Sequence, residues 1–195
     1  MSRLYHKIIE FNRTYPRFCY LSMESFFSSL DIPLIPYGRK WEDLIEISKD
    51  GFSFFDRGEY AIFINEKIPA TRQKFTIAHE IGHIYLGHHK ALRAQALSYT
   101  SPEDAQKRWE TEANIFARNI LIPVDAAKRW KGRTNIEKAT IFGISEEAVR
   151  LRYLYLERDI NSLATISGSE FQKNKRTYVL NMNKKIPLLG GNGKF

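Results

Sequence analysis

The chain holds a single cysteine, Cys19, in 195 residues. No internal disulfide can form, which excludes a disulfide-stapled secreted domain and fits a reducing compartment. Cys19 itself reads as a small core residue. Long apolar runs are missing as well. Nothing approaches the ~18 residues of a membrane span, and the first residues lead into a mixed segment with no signal-peptide core. These absences predict a cytoplasmic protein with no membrane partner. There is no internal repeat or low-complexity tract, and 43% hydrophobic with 13% aromatic content excludes a disordered chain. Carboxylates are outnumbered by lysine and arginine, leaving a net charge of +8. Much of that excess is late in the chain: Lys173, Lys175, Arg176, Lys184, Lys185 and Lys194 face only Glu170 after residue 160. The organisation expected is one domain over 1–160 and a basic C-terminal tail over 161–195, either solvated or an electrostatic contact surface.

What the chain does have is His79-Glu80-Ile81-Gly82-His83, an H-E-x-x-H pattern inside an apolar stretch from Phe75 to Leu86. On a helix, residues four apart lie on one face, so both imidazoles can point at one metal ion, with Glu80 leaning over its edge. Two histidines and a carboxylate on a buried helix are costly without partners, and a metal satisfies all three. Imidazole suits Zn²⁺, leaving room for a third protein ligand and a water. Zinc lowers the pKa of that water to about 7, and Glu80 can take its proton as it attacks a carbonyl.

The third ligand has three candidates. His89 stands ten residues after His79, but the metzincin spacing needs glycine where this chain has Leu86. Glu110 and Glu112 are two apart on a helix expected from Ser101-Pro102 to about Ile120, so only one can enter the site. Its buried face is expected to carry Trp109, Ala113, Phe116 and Ala117. Glu110 is favoured because it shares a side with Asn114, which can accept a hydrogen bond from a ligating imidazole; the loser reads as a solvated carboxylate. Elsewhere the pattern predicts helices over 4–12 and Met23–Leu30, and an extended Ile32–Tyr37. A hairpin is expected around Asp56-Arg57-Gly58, joining Phe52–Phe55 to Tyr60–Asn65. The metal helix should be capped by Thr71 and stop at Gly87, and a loop should cover about 89–104. Two short helices are expected over 134–156, the outline of a helix-turn-helix unit. Their Ile141, Phe142, Leu151, Leu154 and Leu156 suggest core packing, and Arg150 and Arg152 form a thin DNA-reading head.

With Arg72–His83, Glu110–Pro123, Phe142–Arg152 and the Tyr60–Asn65 strand together, the chain resembles the ImmA/IrrE family of metallopeptidases over about residues 20–158. The resemblance implies a zincin-like α+β fold, mainly helical with a small mixed or antiparallel sheet. It places zinc on His79, His83 and Glu110, and the general base on Glu80. It implies an intracellular protein substrate, a helix-turn-helix repressor of a phage, mobile element or stress response, with nucleic acid not a direct partner. An extended substrate loop would pair with an edge strand near Tyr60–Asn65, and Tyr85, His88 and His89 are candidates for a second oxyanion donor. The second reading is a DNA-binding regulator with a metal-stabilised fold and no proteolysis.

Overall fold

Leu4, Tyr5, Ile8 and Phe11 recur at the spacing of one helix face, and they form the buried face of α1 (Ser2–Thr14). The computed structural model describes residues 2–28, 32–90 and 102–173. A 3₁₀ turn (Phe18–Tyr20) and α2 (Met23–Ser28) follow; the expected end of α2 at Leu30 lies outside the described residues. Next come β1 (Leu34–Tyr37), the short α3 (Leu44–Ile47), β2 (Gly51–Asp56) and β3 (Glu59–Asn65). β2 and β3 make the expected hairpin, with Arg57 and Gly58 both at positive φ, 49° and 99°. That backbone matches the twist of the flanking strands. β1 pairs in parallel with the other side of β3, Leu34 opposite Ile62, so the strand order is β1-β3-β2. This corrects one expectation. Tyr60–Asn65 is not an edge: β3 is the central strand, hydrogen-bonded on both sides, and among the described residues the edges are β1 and β2.

α4 (Ala70–Leu86) packs across β2 and β3, burying Ile77, Ala78 and Ile81 in one core with Ile62 and Ile64. Thr71 is not its cap. The helix starts one residue earlier, after an extended Pro69, with no side-chain cap bond. It ends as expected at Gly87, whose left-handed φ of 75° lets its N–H reach the carbonyls of His83 and Ile84. His89 and Lys90, expected in a loop, continue in a further helical turn; residues 91–101, including Ser101, lie outside the described residues.

α5 (Pro102–Leu121) lies against α4. A Cβ at Gly82 would meet the Ala113 Cα at 3.1 Å and the Ala113 carbonyl oxygen and Phe116 Cβ at 3.2 Å. Backbone cannot swing aside, so Gly82 sets how closely the two helices approach. That contact offsets the roughly 1 kcal/mol that glycine costs within a helix. Gly82→Val is expected to lower the free energy of unfolding by about 1–3 kcal/mol through overpacking. Urea titration reads this directly, and an unchanged midpoint would remove Gly82 from the helix contact.

α6 (Val124–Arg129), α7 (Asn135–Phe142), α8 (Glu146–Leu154) and α9 (Leu156–Lys173) complete the described chain. The boundary drawn after residue 160 falls inside α9, which carries Ile160, Leu163 and Ile166 onto the core. The architecture is the expected α+β class, mostly helical with a small mixed sheet. No helix among the described residues is long and apolar enough to cross a membrane.

Candidate metal centre

The four-residue spacing on α4 brings the His79 and His83 rings to one face, their Nε2 atoms 3.0 Å apart. Glu110 reaches them from α5, its carboxylate 3.2 Å from His79 Nε2 and 3.5 Å from His83 Nε2. One ligand atom from each of the three lies within 4.8 Å of the others. A cleft of about 600 Å³ opens over them between α4, α5 and the edge of β2.

The hydrogen-bond partners decide what these rings can do. His79 Nδ1 sits 3.0 Å from the Asn114 amide oxygen, which only accepts, so Nδ1 carries the hydrogen and Nε2 keeps its lone pair. Two ring nitrogens facing each other at 3.0 Å need a cation or a proton between them. The donor set of two imidazoles and a carboxylate fits Zn²⁺. Burial, then the charge of His79, pushes His83 down to about 3, so it is neutral and ligand-competent at pH 7. Burial also works to lower His79, but the hydrogen bond that its protonated ring can donate to the Glu110 carboxylate, with the charges of Glu80 and Glu110, outweighs it and leaves His79 raised. The same His79 bond holds the Glu110 carboxyl below its ordinary value.

Glu80 lines the cleft beside this cluster and is 9% exposed. Its Oε2 accepts from Ser53 twice, from the hydroxyl at 2.6 Å and the backbone N–H at 2.8 Å. The backbone bond follows from strand order. Ile62, opposite Ser53, donates its N–H to Pro33 on the β1 side, so the Ser53 N–H points away from β3. Burial raises the Glu80 carboxyl above its usual range, and the Ser53 hydroxyl moderates the rise. The site therefore combines a trio able to hold a divalent cation with a carboxylate of raised proton affinity.

Several other residues fall in places that the sequence did not indicate. His89 stays out of the cluster and meets the Ser53 hydroxyl at 2.8 Å. Tyr85 packs with Phe11 and Phe116 in the core, away from the cleft. Glu112 is not a solvated carboxylate: it lies 3.2 Å from His88 Nε2. Ser53 had no sequence signal, since only the placement of β2 beside α4 gives it a role.

The helix pair α7–α8 is built as expected, with Ser145 capping α8 through the Ala148 N–H. A capping box of Thr134 and Glu137 starts α7. Leu151 and Leu154, expected in the core, are 38% and 62% exposed. Arg152 has no exposure and is bonded to Asp159, and Arg150 is paired with Glu147 at 2.6 Å. The two arginines of the DNA-reading alternative are thus already engaged.

A family model described as the IrrE N-terminal-like domain, Peptidase_M78, matches residues 42–154, more than half of the chain. No curated protein matches the chain.

Proposed function

The chain belongs to the IrrE N-terminal-like family of metallopeptidases, and from that premise we propose that it is a cytoplasmic zinc endopeptidase of the gluzincin type, cutting one peptide bond in a helix-turn-helix transcriptional repressor. The observation that carries the reading is the convergence of His79, His83 and Glu110 beside the buried carboxylate of Glu80. The choice of repressor as substrate rests on the resemblance to repressor-cleaving members of the family.

In this reading His79, His83 and Glu110 hold the ion. Zn²⁺ supplies a Lewis acid there that polarises a carbonyl and lowers the pKa of a water to about 7. Glu80 takes the proton of the attacking water on its carboxylate and later passes it to the leaving amine. The Ser53 hydroxyl and N–H keep that carboxylate turned into the cleft. Asn114 holds His79 with its Nε2 inward. Among the described residues the outer edge of β2 is the free strand edge beside the cleft, and an extended substrate segment adds there as a further strand. A second groove of about 480 Å³ shares Phe75 and Asn114 with the cleft and is lined by Ile115, Ala148 and Leu151. An apolar extension of this kind suits the side chains of a polypeptide.

The test is to incubate the zinc-loaded protein with the helix-turn-helix repressors of its own source organism and follow intact masses. A single cut that a chelator stops and added zinc restores is the expected result; repressors all left uncut would overturn the substrate assignment. Glu110→Ala is expected to purify with far less than one zinc per chain by elemental analysis. Full zinc occupancy in that variant would remove Glu110 from the ligand set.

A further inference from the structure

His88 is 4% exposed, sits next to a metal-ligand candidate, and has no part in the chemistry above. The left-handed turn at Gly87 ends α4 and folds the next residue back over the last turn of the helix. His88 Nδ1 thereby lies 3.0 Å from His83 Nδ1, and its Nε2 lies 3.2 Å from Glu112 Oε2 on α5. The ring stacks on Trp109, with centroids 5.6 Å apart and planes at 22°. Trp109 and Glu112 are three residues apart on α5, so one helix face supplies both the wall and the acceptor.

We infer that Glu112 and His88 are positioning residues that fix His83 in the tautomer whose Nε2 faces His79 and Glu110. The inference rests on reading His83 as a metal ligand. The protons can be assigned from one end of the chain. A carboxylate only accepts, so His88 Nε2 is the donor to Glu112. A neutral imidazole has one N–H, so His88 Nδ1 is then a bare acceptor. His83 Nδ1 must donate to it, and the lone pair of His83 is left on Nε2, the nitrogen that faces the cluster. His79 reaches the same state by a shorter route through Asn114. The two ligating rings are therefore oriented by different devices: His79 by one amide oxygen, His83 by a histidine backed by a carboxylate. Outer partners of this kind typically change metal affinity by about 10–100-fold.

The experiment uses the full zinc-loaded chain and three measurements: zinc affinity by chelator competition, thermal melting, and nitrogen-15 NMR of the histidine rings. His88→Leu keeps apolar volume against Trp109 but removes the acceptor. It is expected to weaken zinc about 10–100-fold and to abolish the hydrogen-bonded Nδ1–H signal of His83. His88→Asn puts an amide oxygen close to where Nδ1 stood and is expected to recover most of the affinity. Zinc bound by His88→Leu as tightly as by wild type would overturn the inference, as would a His83 ring protonated on Nε2 in the wild-type chain. Equal losses in His88→Leu and His88→Asn would also overturn it, because packing rather than acceptance would then be the cause. A wild-type chain that takes up no zinc would bring down the metal reading itself, a result distinct from any of these.

Discussion

Glu80→Gln is expected to slow repressor cleavage by about 10²–10⁴-fold, the usual contribution of a positioned general base, while the protein keeps its zinc. Glutamine has the shape of glutamate, and its amide oxygen can still accept from the Ser53 hydroxyl and N–H that hold Glu80 in place. What it loses is basicity. Glu80 is not one of the three residues whose ligand atoms converge, so metal content should not change. Two measurements on one preparation decide the matter: zinc per chain by elemental analysis, and initial cleavage rate by intact mass. Wild-type cleavage by the variant would sink the mechanism. Loss of zinc together with activity would mean that Glu80 acts through the metal site's integrity and not as a base.

Asp159→Asn is expected to cost about 3–5 kcal/mol of folding stability at pH 7, the range for removing one partner from a buried ion pair. Asp159 has no exposure. Its carboxylate takes two bonds from Arg118, at 2.7 and 2.9 Å, and one each from Arg152, Asn119 and Tyr5. Asparagine removes the charge and strands Arg152, whose side chain is 1% exposed. Burial alone would raise the Asp159 carboxyl; the hydrogen bonds and charge of Arg118, then the charge of Arg152, more than reverse it and leave the value lowered. The sign of the pH effect follows. A lowered folded-state value contributes stability that is fully present above the unfolded value of about 3.9 and lost as pH falls through the folded one. Wild type should therefore lose this contribution only below about pH 4, and the variant should lack that part of the acid slope. Urea titrations of both proteins between pH 7 and pH 3 read both effects. A variant of wild-type stability would show that the network contributes nothing net.

The parts of the site readable from sequence are those that helical geometry alone determines. His79 and His83 had to share a face, and Glu110 had to share a side with Asn114, because both pairs are four apart on continuous helices. The hairpin was readable from Asp56-Arg57-Gly58, which encodes its own turn. Ser53 and His88 could not be found this way. Ser53 meets Glu80 only because β2 is an edge strand whose outward N–H faces α4, and strand order depends on contacts distant in sequence. His88 turns back toward His83 only because Gly87 is left-handed, and the glycine was readable as a helix end but not as a hinge for the next side chain. Leu151 and Leu154 depart from the expected core for a related reason. An apolar residue on a short helix reads as core, yet α8 buries Val149 and Arg152 and leaves both leucines exposed, Leu151 on the wall of the second groove.

The Asp159 network also bears on how portable this catalytic unit is. Arg118, Asn119 and Arg152 fall within the matched family segment of residues 42–154, but the carboxylate they converge on lies beyond it, and Tyr5 lies ahead of it. A fragment trimmed to the shared segment would carry two guanidiniums built for burial and no anion to neutralise them. The helices that carry the His79, His83 and Glu110 cluster are therefore not a self-contained cassette: α9, which the family match does not reach, supplies the counter-charge in Asp159, α1 supplies the Tyr5 hydroxyl bonded to it, and both must travel with the cluster.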